Sequence, residues 1–403
     1  MKRIIAIVLI LLMLNPICVQ ANPTEDGELK LYALSAVLID GSNNRILYGK
    51  KENEVRAMAS TTKIMTLIIA LENGNIDDEV VFSKYAASQP DVQLNANCGE
   101  KYRLQDLLNI MMQKSYNDVA VAIAEHIGAQ ELQYNKAAQE RTGEESLRCV
   151  RAFVDLMNQK ATEIGCSKTC FITPNGLDAK EGEKIHSTTA YELAVISSYA
   201  IRNPDIEKIC MTSDYACDEL TGKRHVNVVN SNAFLQMMDG AVGMKTGFTG
   251  EAGYCFVGAV KQSGRVFVSV VLGSGWPPNK SYKWKDTKLL MNYGVHNYFM
   301  RNILVPDCNY AEITVRNGIA DSTSVEIKDG LDMLCADYEK IDVVYILQDE
   351  LNAPVKSGDV VGKVEIYTDK QLYTTFPIYA KESVEKVSFV WYLRKILNYF
   401  MNP

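Results

Sequence analysis

The stretch from Ala59 to Thr66, ASTTKIMT, places a hydroxyl and an amine three positions apart where an apolar run begins. On a helix, residues at i and i+3 are surface neighbours about 5–6 Å apart at Cβ, so the side chains of Ser60 and Lys63 can meet. Serine is a poor nucleophile until a base takes its proton, and with no histidine nearby Lys63 is the candidate base. Burial, the positive end of a helix and a second cation would favour the neutral amine that this role requires.

Two further polar triplets follow, SYN at Ser115 to Asn117 and KTG at Lys245 to Gly247. Each is common when it occurs alone. Together they form an ordered set in which the first lies at a buried helix N-terminus, the second in a loop between helices and the third just before a β-hairpin. This is the set typical of class A β-lactamases and penicillin-binding proteins. The three motifs therefore predict nucleophilic catalysis by serine.

Other interpretations of these residues are weaker or compatible. Asn117 could cap the helix that follows it, and capping is compatible with a role in the site. A phosphate-binding loop needs glycine directly before the lysine and a helix after it, whereas Met244 precedes Lys245 and strands follow, so nucleotide binding is discounted. His186, in HSTTA, is interpreted as a structural hydrogen-bonding residue rather than a catalyst.

The elements that must position these motifs are predicted from periodicity. ALSAVLIDGSNNRILYGKK indicates an opening β-hairpin, and residues 60–72 a helix that is apolar on most sides and ends at Gly74. Further helices are predicted at 104–113, 118–127, 152–164 and 188–201, followed by a hairpin in YCFVGAVKQSGRVFVSVVLGS. Strands at both ends with helices between them predict an antiparallel sheet covered by helices, an α+β fold.

The composition changes near Arg301, after the helical pattern of KLLMNYGVHNYFM. Residues 302–381 contain short β-prone runs broken by Gly, Pro and Asp, which predicts a small β-rich domain after a catalytic domain at 22–301. Residues 382–403 place Val384, Val387, Val390, Leu393, Leu397 and Phe400 on one helical stripe. A helix of this kind can lie in a membrane interface, and packing against its own domain is the alternative.

The first 21 residues, MKRIIAIVLILLMLNPICVQA, have the layout of a cleavable secretory signal, with Lys2 and Arg3 before an apolar core and small residues at the end. The core is short for a permanent membrane span. Loss of Lys2 and Arg3 takes the formal net charge from −7 to −9, so nucleic acid is excluded as a partner.

The mature chain has nine cysteines, an odd number, and their pairing cannot be deduced from the sequence. Cys166 and Cys170 are spaced as CSKTC, and the histidines are scattered along the chain. A metal cluster would want closely paired cysteines with histidine nearby, so structural or incidental thiols are expected, with no metal and no cofactor.

The sequence closely resembles the D-alanyl-D-alanine carboxypeptidases, low-molecular-mass penicillin-binding proteins of the serine peptidase type. The resemblance covers nearly all the mature chain through MASTTKIMT, KSYNDVAVAIAEHIG, FITPNGLD, HSTTAYELA, GMKTGFTGEAGYCFVGAV and LNAPVKSGDVVG. It implies a β-lactamase/transpeptidase-like catalytic domain, a β-rich stalk domain and a C-terminal amphipathic anchor on the outer face of the cytoplasmic membrane. Stem peptides of peptidoglycan would be the substrate and β-lactam antibiotics the inhibitors.

By this resemblance, Ser60 attacks the carbonyl of the penultimate D-alanine and forms an acyl-enzyme that water clears. Lys63 is the base, Ser115 relays the proton to the leaving D-alanine, and Asn117 orients Lys63 and binds the substrate backbone.

The same resemblance assigns substrate binding to the segment from Lys245 to Phe248. Lys245 and Thr246 would bind the terminal carboxylate beside Gly247, and the backbone N–H groups of Ser60 and Phe248 would hold the oxyanion.

The sequence departs from the family pattern at several places. Tyr116 occupies a position where glycine is frequent and could narrow the cleft. Ser231, in NSN, stands where some members carry a carboxylate-binding arginine, so that contact is not expected here. Phe248 replaces a histidine found in some relatives. Residues 129–152 are longer and more charged than the usual connection and are interpreted as a solvated surface excursion.

Two alternative functions remain open. A β-lactamase would use the same acylated serine, but no confident carboxylate for deacylation is evident, and a membrane-tethered β domain favours the peptidase. A non-enzymatic β-lactam sensor or wall-binding scaffold is the second alternative. The intact set of Ser60, Lys63, Ser115, Asn117 and Lys245 argues against lost activity, and no transmembrane signalling segment is apparent.

Overall fold

The computed structural model describes residues 29–306 and 311–401, so the predicted signal sequence and Cys308 lie outside the described residues. The helices are α1 (Lys63–Asn73), α2 (Lys84–Ala87), α3 (Leu104–Lys114), α4 (Asn117–Glu131), α5 (Gly143–Glu163), α6 (Ala190–Ala200), α7 (Pro204–Met211), α8 (Tyr282–Asn297) and α9 (Phe389–Met401). The strands are β1 (Ser35–Asp40), β2 (Ile46–Lys50), β3 (Glu79–Val81), β4 (Lys101–Arg103), β5 (Lys180–Glu181), β6 (Lys184–Ile185), β7 (Asp214–Asp218), β8 (His225–Val229), β9 (Ala241–Thr249), β10 (Gly253–Gln262), β11 (Arg265–Leu272), β12 (Tyr298–Leu304), β13 (Glu312–Arg316), β14 (Ser322–Glu326), β15 (Leu331–Ala336), β16 (Ile341–Leu347), β17 (Glu350–Asn352), β18 (Val360–Thr368) and β19 (Gln371–Ala380).

A five-stranded antiparallel sheet with the order β2-β1-β11-β10-β9 forms the centre of the N-terminal part. Alternate residues of β1 face opposite cores, as the two-residue period of a strand requires. Val37 and Ile39 pack with α1 and α3 to α6, whereas Ala36 and Leu38 pack with α8. The predicted α+β fold, an antiparallel sheet covered by helices, is confirmed.

Several helix boundaries differ from the predicted ones. The helix expected from residue 60 begins at Lys63, because a separate 3₁₀ turn, Ala59–Thr62, precedes it. The helical pattern expected to continue to residue 300 ends at Asn297, and Tyr298–Leu304 is a strand that pairs with β15. This strand spans the predicted boundary between the catalytic domain and the β-rich domain, at residues 301 and 302. The position of that domain boundary stays a prediction.

The interpretation of residues 129–152 as a solvated excursion is wrong for its second half. Helix α5 begins at Gly143, where Thr142 and Glu145 form a capping box, and not at the predicted residue 152. Cys149 and Val150 are buried against the core, because apolar residues recur on one face of the helix. The many charges of this segment lie on the other face.

The C-terminal β region contains a six-stranded sheet with the order β16-β18-β19-β14-β13-β17. The chain leaves this sheet through two isolated bridges, Val355 with Val384 and Gly318 with Lys386. The predicted helical stripe is therefore wrong at its first residues, because Val384 is buried in the β region and helix α9 begins only at Phe389.

Candidate active site

Ser60 lies in a tight turn that is held from both sides. The preceding residue, Ala59, has a positive φ of 49°. The hydroxyl of Thr62 donates a hydrogen bond to the Ala59 carbonyl at 2.8 Å and closes the turn. Two glycines approach the turn, since a Cβ built on Gly176 would lie 2.8 Å from the Ser60 nitrogen and one on Gly247 would lie 3.0 Å from it. The position of Ser60 is therefore fixed by backbone packing.

The 3₁₀ turn also explains how Ser60 meets Lys63. In 3₁₀ geometry there are three residues per turn, so side chains at i and i+3 eclipse one another. Lys63 Nζ lies 3.0 Å from Ser60 Oγ. The predicted contact between hydroxyl and amine is present, with a more direct alignment than an α-helix would give.

Three neighbours surround the amine of Lys63, which is completely buried. Nζ donates to the side-chain oxygen of Asn117 at 2.8 Å and to the backbone carbonyl of Asn175 at 2.5 Å. Both oxygens can only accept, so they use two N–H groups of the amine. A neutral amine then has one lone pair left, and the Ser60 hydroxyl is the remaining neighbour. The arrangement suits a lysine that takes a proton from serine.

Electrostatics favour the neutral form of this lysine. Burial is the largest cause that holds the pKa of Lys63 well below its usual value, and the charge of Lys245 lowers it further. The nearby carboxylate of Asp118 acts in the opposite direction and is the weaker influence. Lys63 is also the first residue of α1, where the positive end of the helix dipole disfavours a cation.

Asn117 is oriented by its amide group. Its Nδ2 donates to the carbonyls of Pro90 and Asp91 at 3.1 and 3.0 Å, which leaves its oxygen for Lys63. The neighbouring Asp118 carboxylate accepts from the backbone amides of Leu94 and Val119, each at 2.9 Å. The loop at residues 90–96 is thereby tied to the start of α4, which holds Asn117 in place.

Lys245 and its neighbours lie within the edge strand β9, just before the predicted hairpin, which is formed by β10 and β11. Burial is the main cause that lowers the pKa of Lys245 to about 7. Its Nζ donates to the carbonyl of Thr246 at 3.0 Å. Thr246 is half-buried, Gly247 is buried against the Ser60 turn, and the Phe248 side chain is exposed, with its ring 4.6 Å from that of Tyr254.

Ser115 ends helix α3 with a left-handed φ of 67°, and its amide donates to the Met111 carbonyl at 2.8 Å. It lies two residues before Asn117 in the chain. Within the described part of the chain, the hydrogen bonds that join Ser60, Lys63 and Asn117 do not include the Ser115 hydroxyl. Its predicted role as a proton relay stays a prediction.

Sequence reasoning missed one residue of the site, Asn175. Its carbonyl accepts from Lys63 and, at 3.3 Å, from the hydroxyl of Ser60. The contact joins residues 115 positions apart and depends on a backbone oxygen, which no residue type reveals. The available signal was the Asn-Gly pair in TPNGLD, which indicates a turn.

His186 supports the serine turn. Its Nδ1 accepts from the amide of Ile172 at 2.9 Å, so Nε2 carries the proton and donates to Thr62 Oγ1 at 2.8 Å. Burial lowers the pKa of His186 to about 4, which keeps the ring neutral. The structural interpretation of this histidine is confirmed.

Comparisons with known proteins identify the family of the chain. The model of the family described as D-alanyl-D-alanine carboxypeptidase matches residues 20–145 and 148–275, and that of the penicillin-binding protein 5 C-terminal domain matches residues 298–386. D-alanyl-D-alanine carboxypeptidase DacF of Bacillus subtilis is 31% identical over 98% of both chains.

Two solved structures are similar to this chain over most of its length. The D-alanyl-D-alanine carboxypeptidase DacD from Francisella tularensis superposes with a TM-score of 0.68 and 26% identity, over 91% of this chain and 97% of that one. Penicillin binding protein 5 from Haemophilus influenzae shares the fold with a TM-score of 0.69 at 23% identity, over 89% of this chain and 99% of that one.

Proposed function

Because the chain belongs to the D-alanyl-D-alanine carboxypeptidase family of serine peptidases, we propose that it removes the terminal D-alanine from peptidoglycan stem peptides through an acyl-enzyme on Ser60. The observation that carries this proposal is the position of the Lys63 amine, buried and 3.0 Å from Ser60 Oγ, with its N–H groups directed to Asn117 and Asn175. A neutral lysine whose lone pair faces the serine hydroxyl can take the hydroxyl proton, which activates the serine as a nucleophile.

In the acylation step, the Ser60 oxygen bonds to the carbonyl carbon of the penultimate D-alanine while its proton passes to Lys63. The resulting oxyanion accepts from the backbone N–H groups of Ser60 and Phe248, which the packing of Gly247 on the serine turn keeps together. Collapse of the tetrahedral species breaks the peptide bond. The proton passes from Lys63 through Ser115 to the amine of the departing D-alanine.

The terminal carboxylate of the substrate binds Lys245 and Thr246. Burial lowers the pKa of Lys245 to about 7 in the free protein, and a bound carboxylate raises it, because an opposite charge favours the protonated form. A charged Lys245 also disfavours a proton on Lys63. Substrate binding and activation of the base are therefore coupled.

Penicillins acylate the same serine in this proposal and inhibit the enzyme, and trimming of pentapeptides limits cross-linking. Rapid hydrolysis of the penicilloyl ester would need a carboxylate that activates water. Among the described residues, the hydrogen bonds of Ser60 and Lys63 include no carboxylate, and Asp118 is occupied by backbone amides. This supports the peptidase over the β-lactamase alternative.

We propose that the protein is exported and held on the outer face of the cytoplasmic membrane by α9. In residues 29–306 and 311–401, no helix combines the length and apolar character needed to cross a membrane. Helix α9 instead exposes Leu393, Leu397 and Phe400 on one face. Arg394 and Lys395 lie on the other face, which suits an anionic membrane surface.

The test is incubation of the purified protein with a pentapeptide that ends in D-Ala-D-Ala, followed by mass analysis of the products. We expect loss of one alanine and release of free D-alanine. The Lys63→Met variant, which keeps a buried flexible chain without the amine, should release none. An unchanged pentapeptide with the native protein would contradict the proposal.

A further inference from the structure

A pocket of about 260 Å³ lies at the end of the central sheet, beside the turn that joins β9 to β10. Large apolar side chains that line this pocket stay exposed, and they are Leu34, Val55, Ile185 and Trp276. Single exposed apolar residues are normal, but several that share one concave site indicate a place where a ligand binds. We call this space the Trp276 pocket.

The indole of Trp276 is held in a fixed position. Its Nε1 donates to the carbonyl of Gly250 at 2.8 Å, and a Cβ placed on Gly253 would lie 2.9 Å from the ring atoms Cε2 and Cζ2. Because the N–H group already has its acceptor, the exposed part of the residue offers apolar ring surface. Sugar rings stack on such surfaces, since their C–H groups carry partial positive charge and the face of an aromatic ring is negative.

Two charged residues of the lining can make polar contacts with a ligand. Arg56 donates from Nη2 to Glu54 at 2.6 Å, and its Nε and Nη1 have no partner among the described residues. Glu251 is exposed, and its carboxylate is likewise without a partner in the described part of the chain. Arg56 can therefore donate to a carbonyl and Glu251 can accept from a hydroxyl. With Glu54, the three residues carry a net charge of about −1, which disfavours an anionic ligand.

The path of the proposed substrate leads towards this pocket. The substrate carboxylate is proposed to lie at Lys245 and Thr246 and the scissile carbonyl at the N–H of Phe248, so the peptide follows β9 towards its last residue. Glu251 is three residues after Phe248 and thus at most about 11 Å from it. The four residues of a stem pentapeptide between the glycan and the scissile bond span at most about 13–14 Å. The sugar that carries the peptide can therefore reach the pocket.

We propose that the Trp276 pocket binds an uncharged N-acetylated amino sugar of the glycan strand to which the stem peptide is attached. This inference rests on the proposed carboxypeptidase function. The sugar ring stacks on the indole of Trp276, and its acetamido methyl contacts the apolar lining. The acetamido carbonyl accepts from Arg56, and a ring hydroxyl donates to Glu251. The enzyme thus recognises the glycan as well as the end of the peptide.

The first test measures sugar binding without a peptide. A β-1,4-linked tetramer of N-acetylglucosamine is titrated into the full chain, and NMR signals of Glu251, Ala252 and the Trp276 indole N–H are followed. The control ligand is a glucose tetramer with the same linkage, which has hydroxyls in place of the acetamido groups. We expect the acetylated tetramer to shift these signals and the glucose tetramer to bind on the order of tenfold more weakly, because it lacks the carbonyl and methyl contacts.

Substitutions in the pocket should remove this binding. Trp276→Ala takes away the stacking surface, and Val55→Glu narrows the pocket from a half-exposed position without touching the core. Phe299→Ala is the matched control, because it removes an exposed aromatic ring of β12 outside the pocket and should leave binding as in the native protein. No binding by the native protein, equal affinities for the two tetramers, or binding that survives in either pocket variant would overturn the inference.

The second test compares release of D-alanine from a pentapeptide alone and from the same pentapeptide linked to its disaccharide. In the native protein, kcat/KM should be on the order of tenfold higher for the linked substrate through a lower KM, and the two values should be equal in Trp276→Ala. Equal values in the native protein would contradict a role of the pocket in the reaction. Absence of release from both substrates would instead refute the proposed function, whereas the sugar titration does not depend on turnover.

Discussion

Gly176 lies against the backbone that carries Ser60. A Cβ placed on Gly176 would be 2.1 Å from the carbonyl oxygen of Ala59 and 2.8 Å from the nitrogen of Ser60, and the glycine has a φ of +86°. Real Cβ atoms do not come this close to backbone, so the loop that carries Asn175 and the turn that carries Ser60 can meet only through a glycine.

The Gly176→Ala variant should lose acylation because the serine turn must move away from Lys63. A displacement of about 1 Å in a catalytic group can cost on the order of 10²-fold in rate. The rate is measured with a fluorescent penicillin. Gly182→Ala is the matched control, since Gly182 also has a positive φ, +61°, but a Cβ there would meet nothing within 4 Å. Equal losses in both variants would show that backbone strain, and not contact with the turn, is responsible.

The pH profile of kcat/KM should be bell-shaped. Its acid limb should lie well below the pH range in which a lysine usually titrates. Lys63 acts as a base only when neutral, and because its pKa lies well below the ordinary value, activity should fall only when acid protonates it. Lys245 binds carboxylate only when charged, and its pKa of about 7 predicts a decline as the pH rises above neutrality.

Lys245→Arg separates these two groups. Arginine stays protonated across this range, so the alkaline decline should shift to higher pH or vanish while the acid limb remains. An acid limb near pH 10 in the native protein, or an alkaline limb that the substitution leaves in place, would refute the assignment.

Arg45 joins the first hairpin to the C-terminal β region. Its Nη1 lies 2.7 Å from Glu339 Oε1, and the two side chains are only 3% and 4% exposed. Removal of one partner from a buried pair leaves an uncompensated charge, so Arg45→Met should lower the free energy of unfolding by about 3–5 kcal/mol in a urea titration.

The control for Arg45→Met is Arg301→Met, which breaks an exposed ion pair with Asp337. The Arg301 side chain is 42% exposed and the Asp337 side chain 87%. Arg301→Met should lower the free energy of unfolding by at most about 1 kcal/mol. Similar costs for the two substitutions would mean that the Arg45 pair does not hold the C-terminal β region in place.

The membrane proposal predicts that a chain ending at Ser388 no longer sediments with anionic lipid vesicles. This end point keeps Val384, Lys386 and Val387, which bond to the β region, and removes only α9. In the full chain, Leu397→Glu should weaken sedimentation and Asn398→Glu should not, because residue 397 lies on the apolar face and residue 398 on the polar face. Equal sedimentation of truncated and full chains would exclude α9 as the anchor.

The sequence predicts the parts of this protein that local periodicity controls. Ser60 and Lys63 are three positions apart, and β1 with β2 and β10 with β11 form the expected hairpins. The contact of Asn175 with Lys63 could not be predicted in this way, because it depends on how a loop packs on the serine turn. The same holds for Val384, whose apolar character fits a helical stripe equally well, but whose backbone pairs with Val355 in the β region.

The central claim is that the oxygen of Ser60 becomes covalently acylated with Lys63 as its base. Labelling with a fluorescent penicillin, followed by proteolysis and mass spectrometry of the labelled peptide, tests it directly. We predict a stable label on Ser60, no label in Ser60→Ala, and much slower labelling in Lys63→Met. Label on another residue such as Ser115, or full labelling of the Ser60→Ala protein, would contradict the account.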